Sequence, residues 1–188
     1  MNNTKLDQVH ETRLLGVLIT DDMRFEKNTK DICKRAYARL SMITKLKYVG
    51  VTNDDLLNIY CLFIRSLLEY CSSVWHSSLT QEQSVDIERV QKTSLRIILG
   101  EHYIGYHEAL ETCGLEPLSL RRENKCLTFG HRATKHTKHR RHFPLNKANE
   151  HKLRISETFK VNYARTQAYK CSTVPYVQRA LNSHLKTK

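Results

Sequence analysis

Apolar residues recur along most of the chain at alternating steps of three and four, which is the spacing of an amphipathic α-helix. The first stripe of this kind consists of Ile32, Ala36, Leu40, Ile43 and Leu46. We expect Asn28 to begin this helix and Gly50 to end it, because asparagine favours the N-cap and glycine favours the position just after a helix.

Two further helices are predicted from capping boxes, in which a threonine is followed three positions later by a polar residue. Each of the two side chains accepts a hydrogen bond from the backbone N–H of the other residue. Thr52 with Asp55 opens the second helix, and Thr80 with Gln83 opens the third, which Gly100 ends. The long face predicted to be buried in the second helix comprises Leu56, Tyr60, Phe63, Ile64, Leu67, Cys71, Val74 and Trp75. The inward residues predicted for the third helix are Ile87, Val90, Ser94, Ile97 and Ile98.

The second half of the chain predicts a short helix at residues 106–113 that stops at Gly114. Pro117 is expected to begin a fourth, long helix that runs to about Lys135, since proline is favoured at a helix start. The stretch 131–152, which includes "HRATKHTKHRRHF", is basic and has little to bury. It predicts an exposed helix end followed by a linker or mobile loop.

After this basic stretch, two ordered pieces are predicted near the C-terminus. "FKVNYART" favours a short strand or turn, and "VPYVQRALNSHL" favours a short helix from Pro175.

The N-terminal stretch "RLLGVLITDDMRF" predicts a strand, a tight turn at Asp21 and Asp22, and a short second strand. Gly16 inside the first strand indicates a bulge, close packing by a helix, or a hairpin near a nucleic-acid backbone. An alternative is that the two aspartates hold metal, but two-metal chemistry needs a third carboxylate, and the preceding residues offer only Asp7 and Glu11. The turn is therefore favoured, and the predicted fold class is mainly α with a small N-terminal β-hairpin.

The net charge of the chain indicates a polyanionic partner. The chain contains 31 Lys and Arg but 19 Asp and Glu, which gives a formal net charge of +12. Nucleic acid and an anionic lipid surface are both compatible with this excess, as is a basic protein without such a partner. No apolar run is long enough to cross a bilayer, and the N-terminus lacks the apolar core of a secretory signal, so an intracellular location, nuclear or cytoplasmic, is expected. The six cysteines are spread singly and are predicted to be reduced.

Basic residues recur at helical spacing on three of the predicted helices, which is typical of surfaces that contact phosphates. The candidate phosphate-binding residues are Lys30, Lys34, Arg35 and Arg39 on the first helix, Arg89, Lys92 and Arg96 on the third, and Arg121, Arg122 and Lys125 on the fourth. Each ridge taken alone is also compatible with an ordinary solvated face. Arg65 is expected to play a structural role, paired with Glu69 one turn later on the second helix.

Four histidines interrupt the basic stretch: His131, His136, His139 and His142. They lack the second tight pair of ligands that a structural zinc site needs, so they predict a supplement to phosphate binding or no specific role. No nucleotide-binding loop or hydrolase triad is present in the sequence.

Several segments, in order, resemble the region that follows the catalytic palm in reverse transcriptases of non-LTR (LINE-type) retrotransposons. The matching segments are "RLLGVLITDDMRFEKN", "ICKRAYARL", "LLNIYCLFIRSLLEYCSSVWH", "DIERVQKTSLRIILG", "YHEALETCGLEPLSLRR" and "YARTQAYKCSTVPYVQRALN". The third is similar to the family's "Y…IRS-LEY…VW" signature, which is the most specific of the set. The resemblance covers roughly residues 12–182.

The resemblance implies a C-terminal fragment of an RNA-directed DNA polymerase: a palm-edge hairpin at 1–27, a helical thumb-like bundle at 28–135, and a basic linker with an irregular extension at 136–188. Leu15 and Gly16 would correspond to the primer grip. The family's catalytic aspartates lie before the hairpin, so the fragment is expected to be inactive alone, with no cofactor of its own and magnesium only in the intact parent.

The implied partner is RNA or an RNA/DNA duplex, held with low sequence specificity, and no membrane. Two alternatives stay open, namely a translated remnant without function and a protein-interaction module whose hairpin docks on palm and finger domains outside the chain.

Overall fold

A computed structural model describes residues 9–146 and 158–186 of the 188-residue chain. The fold is mainly α with one small antiparallel hairpin, as predicted. The strands are β1 (Glu11–Leu14) and β2 (Val17–Thr20). The helices are α1 (Glu26–Tyr48), α2 (Asn53–Ile59), α3 (Ser66–Glu69), α4 (Ser72–Trp75), α5 (Gln81–Leu99), α6 (Tyr106–Thr112), α7 (Leu118–Lys135), α8 (Gln167–Lys170) and α9 (Thr173–Lys186). A π-helical turn (Tyr60–Arg65) joins α2 to α3, and 3-10 turns lie at His76–Ser78, Gly100–His102 and Arg140–His142.

The hairpin turns at Leu15 and Gly16, where Leu14 pairs with Val17 across the two strands. Leu15 has a φ of 48° and Gly16 a φ of 84°, the two positive values that a right-twisted two-residue turn requires. Gly16 is therefore part of the turn and not of a strand interior, and this left-handed geometry explains why a glycine stands there.

Asp21 and Asp22 do not make the hairpin turn, and the described residues after them add no strand to this hairpin, so that part of the prediction is wrong. They follow β2 and lead the chain into α1. The carboxylate of Asp22 accepts hydrogen bonds from Thr20 Oγ1 (2.6 Å) and from the backbone N–H of Arg24 (3.1 Å), which bends the chain locally. A two-residue hairpin turn of type I′ needs positive φ at both central residues, and Leu15 and Gly16 supply it in this hairpin.

Helix ends follow the predicted caps in most places. The capping box of Thr80 and Gln83 is complete, with each side chain bonded to the other's backbone N–H. Thr52 caps α2 by accepting from the backbone N–H of Asp55. Asn28 was expected to begin α1, which instead starts at Glu26. The Asn28 side chain accepts from the backbone N–H of Leu18 (3.1 Å) and so ties β2 to α1.

The main core forms where α1 packs along α5 and where the α2–α3 segment crosses both. The fully buried face of this segment comprises Leu56, Tyr60, Ile64 and Leu68. Residues four apart are rotated by about 40° around the axis of a regular α-helix, so a face with this spacing would wind around the helix. The π-helical turn has more residues per turn, and it keeps these residues on one side. The change of phase leaves Phe63 52% exposed, although it was predicted to be buried. The predicted second helix is also interrupted at Tyr70 and Cys71, and Val74 on the separate helix α4 is 41% exposed instead of buried.

A second, smaller core joins α7 to α9 and buries Cys126, Ala133, Phe143, Val177 and Leu181. Two buried amides of α9 hold the neighbouring chain in place. The Asn182 side chain donates to and accepts from the backbone of Phe159, both at 2.9 Å, and Gln178 Nε2 donates to the carbonyl of His142 (2.8 Å).

We call residues 124–146 and 158–186 the C-terminal unit. The predicted end of α7 at Lys135 is confirmed, and α9 begins two residues before Pro175. Phe143 is buried within the stretch that was expected to be exposed, and residues 147–152 of that stretch lie outside the described part of the chain. All six cysteines are free thiols, as predicted.

Gly130 sets how closely α7 and α9 approach. A Cβ at this position would lie 2.5 Å from Val177 Cγ1 and 3.1 Å from Leu181 Cδ1. We expect Gly130→Ala to destabilise the fold by about 1–2 kcal/mol, because overpacking outweighs the gain in helix propensity. Thermal unfolding measures this. Val177→Ala creates space at the same point, so the double variant should lose less than the sum of the two single variants, and strict additivity would contradict the close-approach explanation.

Candidate nucleic-acid interface

The hairpin turn lies beside two of the predicted cationic residues. A groove of about 290 Å³ between the hairpin, α1 and α3 is lined in part by Gly16, Arg35, Arg39 and Tyr70. Tyr70 Oη donates to the carbonyl of Leu15 (2.9 Å) and so fixes the turn against the helices. The Leu15 side chain is 81% exposed.

The cations of this groove are already engaged. Arg35 Nη2 lies 2.9 Å from a carboxylate oxygen of Asp31, which also receives Arg13 at 3.2 Å. Arg39 Nη1 donates to the carbonyl of Phe63. Because the carboxylate of Asp31 compensates part of the positive charge, the groove attracts a phosphate less strongly than the number of arginines indicates.

The ridges on α1 and α5 meet along a shared cleft of about 480 Å³. Lys30 pairs with Glu26 (2.6 Å) and Arg89 pairs with Asp86 (2.5 Å), and all four residues line the cleft. The two predicted ridges therefore carry their own counter-charges at these positions.

The rest of these two ridges is exposed. Among the described residues, no carboxylate lies within salt-bridge distance of Lys34, Lys92 or Arg96. Arg96 instead lies over the ring of Tyr103, with its guanidinium carbon 5.3 Å from the ring centroid.

The predicted ridge on α7 is not a free cationic surface. Arg122 is fully buried, and its Nη2 donates to Ser84 Oγ (3.0 Å). Arg121 Nε lies 2.5 Å and Lys125 Nζ 2.7 Å from the carboxylate of Glu69, which is 5% exposed. The expected pair of Arg65 with Glu69 is wrong, because Glu69 faces α7 and bonds across the interface instead.

The electrostatics of Glu69 follow from these contacts. Burial by itself raises the pKa of the Glu69 carboxyl, but the hydrogen bonds and charges of Arg121 and Lys125 outweigh it and lower that pKa below 4.5. Burial also lowers the pKa of Arg122, which has no bonded carboxylate among the described residues. The bonds of Glu69 to Arg121 and Lys125 hold α7 against α3, whereas Arg122 is buried with its Nε and Nη1 unbonded among the described residues.

The excess positive charge is concentrated in one part of the sequence. Residues 1–123 contain 16 Lys and Arg against 17 Asp and Glu, whereas residues 124–188 contain 15 against two, Glu150 and Glu157. Neither acid is among the described residues, so the described C-terminal unit contains no acidic side chain. The distribution of charge along the sequence shows this asymmetry, which the helical spacing of basic residues does not show.

We define the C-terminal basic surface by the exposed cations of this unit other than Lys125, which pairs with Glu69: Arg132, Lys135, Lys138, Arg140, Arg141, Lys160, Arg165 and Lys170. Two histidine pairs lie within the same unit. The rings of His136 and His139 are 4.8 Å apart, and those of His131 and His184 are 5.8 Å apart. None of these eight cations has a carboxylate within salt-bridge distance among the described residues, and such a surface, with histidines between the cations, favours binding of a polyanion.

A metal centre is not formed by the described residues. No group of three or more His, Cys, Asp or Glu side chains is arranged to hold an ion in that part of the chain. Asp21 bonds to His10 at 2.9 Å. Within the same residues, no helix combines the length and the apolar character that crossing a membrane requires.

Comparison with known proteins gives no identity: no family model, curated protein or solved structure matches the chain.

Proposed function

We propose that this chain binds the phosphate backbone of RNA or of an RNA/DNA duplex, as the thumb-like C-terminal part of a retrotransposon reverse transcriptase, and does not catalyse polymerisation alone. The observation that carries the proposal is the C-terminal basic surface, where eight exposed cations have no acidic side chain among the described residues of their unit. Such a surface releases counterions on binding and reads no bases, which gives affinity without sequence specificity.

The hairpin supplies a second surface of the proposed assembly. Leu14 is 58% exposed and Leu15 81% exposed at the turn, and Tyr70 holds the turn in place. This rigid apolar tip fits a contact with the palm and finger domains of a polymerase, next to the end of the primer.

A salt titration tests the binding. Fluorescence anisotropy with an RNA–DNA duplex should show affinity that falls about a hundredfold between 50 and 200 mM salt if four phosphates are neutralised. Two duplexes of unrelated sequence should bind about equally. Absence of binding, or an affinity independent of salt, would contradict phosphate binding.

Primer extension with magnesium should give no product, and any extended primer would overturn the non-catalytic part of the proposal.

A further inference from the structure

Two exposed tyrosines lie within the C-terminal unit. The side chain of Tyr163 is 86% exposed and that of Tyr169 is 43% exposed. Asn162, the neighbour of Tyr163 in the chain, donates from Nδ2 to Tyr169 Oη (3.5 Å), so Tyr169 lies against the segment that carries Tyr163. The cations interleaved with them in sequence are Lys160, Arg165 and Lys170.

The chain that presents Tyr163 is held by buried side chains. Asn182 bonds both backbone groups of Phe159, and Gln178 Oε1 accepts from the backbone N–H of Asn162 (3.4 Å). Asn182 is 3% exposed and Gln178 is fully buried, so these anchors belong to the core of the unit. A ring displayed from an anchored backbone loses little conformational freedom when a flat partner covers it.

A cationic surface with exposed aromatic rings suits unpaired nucleotides better than paired ones. Bases in a duplex are already stacked on one another, whereas a single-stranded base offers an open face to an aromatic side chain. We propose that Tyr163, with Tyr169 beside it, stacks on unpaired bases next to the duplex, so that the C-terminal unit binds a single-stranded overhang as well as backbone phosphates. This inference rests on the proposed phosphate binding.

The test compares three probes by anisotropy at one salt concentration: a blunt RNA–DNA duplex, the same duplex with a four-nucleotide RNA overhang, and that duplex with an abasic overhang. The wild-type chain should bind the overhang probe about tenfold more tightly than the blunt one, and the abasic overhang should give little of this gain. Equal gains from the normal and abasic overhangs would overturn stacking, because phosphates alone would then account for the affinity.

Substitutions of exposed tyrosines test whether Tyr163 causes the gain in affinity that the overhang gives. Tyr163→Ala should lose most of the gain from the overhang and leave blunt-duplex binding unchanged, while Tyr163→Phe should keep the gain. Tyr48→Ala is the matched control, because Tyr48 is 92% exposed but lies at the end of α1, outside the C-terminal unit. An unchanged gain in Tyr163→Ala, or an equal loss on all three probes, would refute the inference. Failure of the wild-type chain to bind the blunt duplex would instead refute the proposed function itself.

Discussion

Replacing four cations of the C-terminal basic surface by glutamine is expected to weaken binding of an RNA–DNA duplex by at least about a hundredfold at 100 mM salt. The four are Arg132, Lys135, Arg140 and Arg141. Each neutralised phosphate contributes about 0.9 to the slope of log K against log salt, so the slope should fall by about 3 if most of the four make contacts. Anisotropy titrations at several salt concentrations measure both quantities.

A variant with the same change in charge elsewhere is the control for this experiment. Lys34, Arg39, Lys92 and Arg96 are exposed on α1 and α5, and their replacement by glutamine removes an equal formal charge. We expect this control to change the affinity by less than about threefold, since long-range attraction alone is screened at this ionic strength. A larger loss in the control than in the first variant would place the interface on the α1 and α5 ridges.

The largest expected effect on stability comes from Glu69, the buried carboxylate between α3 and α7. Glu69→Gln removes the charge that Arg121 and Lys125 bond and leaves both cations without that partner. Loss of these charge-assisted bonds should lower the free energy of unfolding by about 3 kcal/mol near pH 7. Chemical denaturation measures the difference, and Glu111→Gln is the control, because Glu111 is exposed and should have little effect.

The pH dependence of this difference has a definite sign. The pKa of Glu69 is lower in the folded chain than its ordinary value of 4.5, so its contribution to stability is fully present above pH 4.5. It is lost as the pH falls through the folded-state pKa, where the carboxyl becomes protonated. The gap between wild type and Glu69→Gln should therefore narrow in acid, and a gap that stays constant down to pH 3 would contradict the assigned ion pairs.

Local chemistry made the helix boundaries predictable. Three such signals appear in the structure as predicted, and each acts within a few residues: the capping box at Thr80 and Gln83, the glycine end at Gly100 and the proline start at Pro117.

The buried face after α2 was not predictable in the same way, because a regular 3.6-residue period cannot anticipate the π-helical turn at Tyr60–Arg65. In the sequence, the π-helical turn is indicated by the repeated four-residue spacing of apolar residues from Leu56 to Leu68.

The candidate site was harder to predict because charge partners come from distant parts of the chain. Arg121 and Arg122 are adjacent in sequence, yet one bonds Glu69, 52 residues earlier, and the other is buried against Ser84. Helical spacing places side chains on a face but does not say whether that face meets solvent or another helix. The excess of cations after Glu123 can be counted in the sequence without knowledge of any contact, and it indicates the C-terminal unit.

Lysine footprinting shows directly whether nucleic acid contacts the C-terminal basic surface. The folded chain is acetylated with and without a saturating RNA–DNA duplex, and each lysine is quantified by mass spectrometry. We expect protection of Lys135, Lys138, Lys160 and Lys170, with Lys34 and Lys92 modified equally in both samples. Protection of Lys34 and Lys92 without protection of the C-terminal lysines would contradict this expectation.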